Sequence, residues 1–219
     1  MAGWAVQRRR MVSDQLARRG ISDRCVLEAM ARVPRERFVG AGQRDRAYED
    51  RALGIGDGQT ISQPWIVAAM AQALELRGSE RVLEVGTGSG YSTAVLGRLA
   101  SHVISIERNP RLAAAASTTL GRLGVDADLR VGDGSVGAPA DAPFQAIAVH
   151  AVAPAVPGAL VSQLGEGGRM VVPVRSGGEE LLTVVERDGD RTRRTVLGPC
   201  RFVPLIGAQG FDPAGPGID

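Results

Sequence analysis

Apolar residues in the first third of the chain recur at helical spacing. Val6, Met11, Val12, Leu16 and Ala17 mark one face of a helix over residues 4–19, and Gly20 supplies its stop. The stretch ISDRCVLEAMARVP predicts a second helix, capped by Ser22 or Asp23 and ended before Pro34. Residues 35–59 are rich in glycine and charge and predict an irregular connector. A helix over 64–76 follows, with proline in its first turn. From Arg81 the period changes. Short β-branched runs, RVLEV, HVISIE, ADLRV, FQAIAV and GGRMVVPV, alternate with helical segments over 91–100, 110–124 and 154–164. That alternation predicts an α/β fold with a doubly wound, mostly parallel sheet and crossover helices. Residues 179–199 predict a hairpin turning at Asp188-Gly189, and the Gly/Pro-rich stretch from Gly210 predicts a loose tail.

Composition narrows the chemistry. All 26 basic residues are arginine, which excludes a lysine Schiff base and a P-loop lysine. Aromatic residues make up 4% and the net charge is +2, so neither a base-stacking platform nor a polyanion partner is expected. Cys25 and Cys200 read as plain thiols. With His102 and His150 they make no familiar metal spacing, so no metal is expected. The N-terminal stretch WAVQRRRMVSDQ is interrupted by charge, and no run reaches the ~20 apolar residues of a membrane helix. A cytoplasmic protein with no membrane contact is the expectation.

The candidate chemistry lies at the ends of the core strands. VLEVGTGSGYSTAV follows a strand and opens a helix. Such a glycine turn lets the backbone approach a ligand beyond the carboxyl end of the sheet. Gly86, Gly88 and Gly90 do not match the dinucleotide pattern G-x-G-x-x-G, because Tyr91 stands where its last glycine belongs. With Glu84 ahead of the loop, the segment instead resembles the E-x-G-x-G-x-G of S-adenosylmethionine-dependent methyltransferases. Glu84, Gly86, Thr87, Gly88 and Ser89 are therefore candidate cofactor contacts. Glu107 ends the second core strand about 20 residues beyond the first loop glycine, where an acid bonds ribose hydroxyls. Asp133 and Gly134, in GDGS after the third, complete the set. Asp133 meets an adenine amino group or closes an Asx turn.

The acceptor is less directly written. VHAVAP after the fourth core strand lacks the N-P-P-Y-like motif of base or amide methylation. His150 reads as a base or as a structural histidine. A carboxylate acceptor needs no base. It is ionised above a pH of about 4 and must only be aligned in a dry site, where a hydroxyl such as Ser62 could hold its second oxygen. By position alone, Ser62 also reads as a helix cap before Pro64.

MVSDQLARRGI, VPRERFV, RAYEDRALGIGDGQTISQP, VLEVGTGSGYSTAVL, VISIERNP, VGDGS and GPCRFVPLIG occur in order over residues 11–207. Together they resemble the protein-L-isoaspartate O-methyltransferases. The resemblance implies a class I methyltransferase (Rossmann-like) fold with N-terminal helices and a C-terminal antiparallel hairpin. Residues 1–76 would form a substrate-cleft segment, 77–209 the cofactor-binding core and 210–219 the tail, in one functional domain. It also implies methyl transfer from S-adenosyl-L-methionine to the free carboxylate of isoaspartyl residues in damaged proteins, with S-adenosyl-L-homocysteine as product. The ester would then close to a succinimide. No nucleic-acid partner and a monomer are expected. Ser62 matches the active-site serine, Gln59, Thr60 and Ile61 its neighbours, and Leu205 and Ile206 residues that close over the pocket. His150 and Val152 replace a small or hydroxylated residue and an alanine near the substrate cleft, which implies an altered peptide preference. The alternative it leaves is a pathway-specific aspartyl O-methyltransferase acting on a precursor peptide. A non-catalytic binding protein on the same fold is a third reading.

Overall fold

The computed structural model of the chain describes residues 3–212. The first helical segment is continuous but not uniform. The α-helix α1 (Trp4–Arg10) passes into a wider π turn at Met11–Leu16 and a tight turn at Ala17–Arg19, and stops at Gly20 with φ 92°. Met11 and Leu16 are both buried. Residues five apart diverge by more than a third of a turn in an α-helix. The wider turn brings both onto the core face. In α2 (Arg24–Arg32) the cap is Asp23, whose carboxylate accepts the Val26 N–H.

The connector is not wholly irregular. It contains a small hairpin, β1 (Leu53–Gly56) and β2 (Gln59–Ile61), joined at Asp57-Gly58. Both turn residues have positive φ, 52° and 69°, as a two-residue hairpin with this twist requires. The Asp-Gly pair was its signal. Flanks of only four and three residues, the first interrupted by glycine, hid the strands. Helix α3 (Pro64–Ala73) follows.

The core comprises β3 (Arg81–Val85), α4 (Tyr91–Leu96), β4 (His102–Glu107), α5 (Pro110–Arg122), β5 (Asp128–Val131) and β6 (Phe144–Val149). It continues with α6 (Gly158–Val161), β7 (Leu164–Ser176), β8 (Glu179–Asp188) and β9 (Arg191–Pro199). Helix α6 is shorter than expected and β7 starts earlier, because Leu164–Gly168 extend the strand. The seven-stranded sheet has order β5-β4-β3-β6-β7-β8-β9. Its first five strands pair in parallel, and β8 and β9 add the antiparallel hairpin.

Alternate residues of β3 face opposite sides. Val82 joins a cluster with Met11, Leu16, Met30 and Met70. Leu83 joins one with Phe144, Leu160 and Met170. The N-terminal helices thus share a core with one face of the sheet. The chain leaves β3 for β4 on one side and returns as β6 on the other. This reversal opens a crevice at the carboxyl ends of β3 and β6. Residues 203–211 strap across that end. Leu205 N–H donates to the Val152 carbonyl, and Phe211 N–H to that of Leu205. The Phe211 ring lies under the Arg175 guanidinium at 4.7 Å. Of the tail expected to be loose, residues 213–219 lie outside the described residues.

Candidate active site

The crevice is a cavity of about 260 Å³ walled by the glycine loop, the end of β4, the β1–β2 hairpin and the strap. Gly86, Gly88 and Gly90 all have positive φ, 93°, 54° and 85°, so the loop folds back on itself before α4. A side chain at Gly90 would press on Ala116 and Leu120 of α5 at 3.2–3.3 Å.

Glu107 is 8% exposed and lines the cavity. Its Oε2 accepts the Gly88 N–H and its Oε1 the Asn109 N–H, both at 2.8 Å. Each oxygen keeps a lone pair for a ribose hydroxyl. The arrangement also argues against a dinucleotide. The Gly88 N–H, which would have cradled a phosphate, is already bound to a carboxylate that repels one. The wall suits a cofactor carrying positive charge. Val85, Ile106, Leu205 and Ile206 give the apolar part, and Thr87, Ser89 and Gly134 also line it. The hairpin tip closes one side, where Asp57 accepts from Asn109 Nδ2 (2.8 Å) and Arg111 (2.7 Å).

Two expected cofactor contacts are placed elsewhere. Glu84 is fully buried beneath the loop. Its Oε2 accepts the hydroxyls of Thr93 (2.5 Å) and Ser105 (2.6 Å), so it ties α4 and β4 to β3 rather than meeting a ligand. Its position on the pleat, one residue before Val85, turns it away from the cavity. Asp133 is not on the wall either. Its Oδ1 accepts the Ser135 N–H and hydroxyl, and its Oδ2 the Ala208 N–H. Burial disfavours its charge, but these donors outweigh burial and hold the carboxyl below its ordinary range. Asp133 closes the Asx turn and fastens the strap.

A second cavity of about 480 Å³ adjoins the first, lined by Arg19, Trp65, Pro199, Cys200, Arg201 and Phe202 among others. Thr60, Ser62, His150 and Val203 line both. They stand between the two spaces. Gln59 and Ile61 line the first cavity alone, as do Leu205 and Ile206. Val152 lines neither. It is fully buried, and its backbone carries the strap. Burial and then Glu180 push the Cys200 thiol up to about 11, which disfavours its thiolate form.

Ser62 is not a helix cap. The cap position of α3 belongs to Gln63, which makes no side-chain capping bond. The Ser62 hydroxyl has no protein partner among the described residues, while its carbonyl accepts from Arg35 at 2.8 Å. Arg35 was not picked out from the sequence. Fully buried, it also donates Nε to the Ala47 carbonyl (2.8 Å) and lies 4.8 Å over the Tyr91 ring. Burial lowers it to about 10, with Tyr91 and Tyr48 opposing, and pushes Tyr91 up to about 12, with Arg35 opposing. Glu36 and Arg37 beside it in sequence gave no signal that set Arg35 apart.

The sequence pattern of the protein-L-isoaspartate(D-aspartate) O-methyltransferase family matches residues 7–210. The chain belongs to that family. It is 51% identical over 213 residues to protein-L-isoaspartate O-methyltransferase 1 of Syntrophobacter fumaroxidans, covering 97% of this chain and all of the relative. It is 55% identical over 201 residues to protein-L-isoaspartate O-methyltransferase 2 of an Anaeromyxobacter species, covering 91% and 83%. A solved protein-L-isoaspartate O-methyltransferase superposes with a TM-score of 0.84 at 29% identity, over 92% of this chain and 67% of that one. A Plasmodium falciparum structure of the same description, in complex with S-adenosyl-L-homocysteine, shares the fold at a TM-score of 0.78 and 24% identity, over 91% and 98%. The expected class I methyltransferase fold with its antiparallel C-terminal strands is the fold observed. As a member of this family the chain is an S-adenosylmethionine-dependent O-methyltransferase.

Proposed function

We propose that the first cavity takes S-adenosylmethionine, the second takes an isoaspartyl segment of a damaged protein, and the methyl group crosses a doorway between them. The doorway carries this reading: of the four residues shared by both cavities, three are polar and two are hydroxyls. When bound, the cofactor supplies an electrophilic methyl group on a positively charged sulfur.

The protein's own part is binding and alignment. Glu107 holds the ribose hydroxyls while it fixes the glycine loop. Leu205 and Ile206 cover the apolar part of the cofactor. Ser62, with its hydroxyl free, donates to one oxygen of the acceptor carboxylate and leaves the other to attack. Thr60 and Val203 narrow the passage and exclude water. No side chain must remove a proton, because the acceptor is already ionised.

Residues 1–76 and 77–209 act as one functional domain, since they share an apolar cluster and each contributes to the doorway. A single copy builds both cavities, which accords with a monomer. The small net charge accords with no nucleic-acid partner, and the two free thiols with a cytoplasmic setting. No helix among the described residues is long and apolar enough to cross a membrane.

Labelled S-adenosylmethionine and a matched pair of isoAsp and Asp peptides test the reading. A base-labile methyl ester on the isoAsp peptide is expected. Its absence, or preference for the Asp peptide, overturns the assignment. In the same assay Ser62→Ala should lower kcat/KM by one to two decades, since a hydrogen bond to a charged group is worth about 1.5–3 kcal/mol. Affinity for S-adenosyl-L-homocysteine should be largely kept. Unchanged kinetics would remove Ser62 from the acceptor site.

A further inference from the structure

One doorway side chain, His150, is of the type that changes charge near neutral pH. It follows β6 directly, and its N–H is held by the Val85 carbonyl at 2.8 Å. Its Nε2 lies 2.8 Å from Ser92 Oγ and 3.3 Å from Glu84 Oε1. Glu84 is completely buried. Its Oε2 takes two hydroxyls, while its Oε1 makes no hydrogen bond among the described residues and faces this ring at 3.3 Å. A carboxylate only accepts, and a buried one requires donors. A bare Nε2 lone pair facing this carboxylate at 3.3 Å would be repelled, so the geometry points to a proton on Nε2. Nδ1 has no partner among the described residues. With Nε2 committed, Nδ1 donates a hydrogen bond only as part of an imidazolium.

We propose that His150 grips the acceptor carboxylate through Nδ1–H in its imidazolium form. Glu84 is the positioning residue that fixes the other proton on Nε2, so acceptor binding is coupled to pH. The proposal rests on the acceptor reading of the doorway given above. The charges around the ring are Glu84 from β3 beneath it, Asp57, Glu107 and Arg108 around the cofactor cavity, and Arg19, Cys200 and Arg201 around the cleft. Helix α4 offers the neutral Ser92 and Tyr91, whose phenol burial keeps protonated. Among the charged groups of the described residues, Glu84 alone contacts the imidazole. By linkage, an anionic acceptor favours the charged ring and the charged ring favours the acceptor by the same factor. KM should therefore rise as pH rises through the titration of the ring, with kcat changing less. The acceptor itself loses its charge only near a pH of about 4.

The test is kcat and KM for an isoAsp peptide between about pH 5.5 and 8.5 in the protein and in His150→Gln. The wild-type KM should rise about tenfold or more across this range, as loss of a hydrogen bond to a charged group implies. His150→Gln should show a flat profile near the wild-type value at high pH. Parallel profiles in the two proteins would overturn the proposal. A second measurement needs no variant. The chain has two histidines, and His102 is exposed at the start of β4, so nitrogen NMR resolves His150. In the S-adenosyl-L-homocysteine complex Nε2 should stay protonated throughout, and added isoAsp peptide should move the ring titration to higher pH. A neutral ring protonated on Nδ1, or a titration indifferent to peptide, would overturn it. If no peptide is methylated at any pH, the acceptor reading itself fails, and the tautomer then decides the Glu84 part alone.

Discussion

Arg35→Ala should destabilise the protein by about 3–4 kcal/mol and lower methyl transfer along with it. The guanidinium is fully buried and holds two carbonyls, those of Ala47 and Ser62, at 2.8 Å each. Truncation strands both and leaves a void beside Tyr91. The burial that lowers Arg35 to about 10 opposes part of this loss, and its unpaired Nη1 adds to that cost, so the two hydrogen bonds do not count in full. In a chain of this size the change corresponds to a fall in Tm of roughly 10 °C. Arg35→Lys keeps the charge but not the fork that reaches two carbonyls, and should fall between the two. The activity loss should exceed the unfolded fraction, because the Ser62 backbone is no longer held. An unchanged Tm in Arg35→Ala would show that the buried fork contributes nothing net.

Glu107→Ala should weaken S-adenosyl-L-homocysteine binding by roughly 10²–10⁴-fold in calorimetry. Two hydrogen bonds to a charged group are lost, each worth about 1.5–3 kcal/mol, with about 1.4 kcal/mol per decade. Part of the loss comes through the protein, since Gly88 and Asn109 lose the acceptor of their N–H groups and the glycine loop slackens. Glu107→Gln separates the two parts. Its amide oxygen can still accept one backbone N–H, but its amide nitrogen donates where a carboxylate accepts. It should lose about tenfold. Equal affinity in Glu107→Ala would remove the residue from the cofactor site.

The place of Glu107 on the cavity wall was legible because strand ends can be read from short apolar runs. Ser62 was legible only in part. Its position before Pro64 fits a cap equally well, and the free hydroxyl that decides against capping depends on the conformation of Gln63. Glu84 and Asp133 show the opposite failure. Both stand where motif spacing puts a ligand contact, yet the pleat buries one and the strap engages the other. Val152 fails for the same reason, since strap pairing turns its substitution away from the cleft.

By itself the sequence determined what local patterns carry: the order of strands and helices, the glycine loop, the acid at the end of β4 and the family. These depend on residues within one turn or one strand of each other. The tertiary structure alone decided which side chains share a space. Arg35 meets Ser62 across 27 positions, and His150 meets Ser92 across 58, because non-local packing and not spacing brings them together. The doorway is such a product. It draws Thr60, Ser62, His150 and Val203 from three distant parts of the chain. No periodicity records a contact that forms only when the strap closes over the sheet.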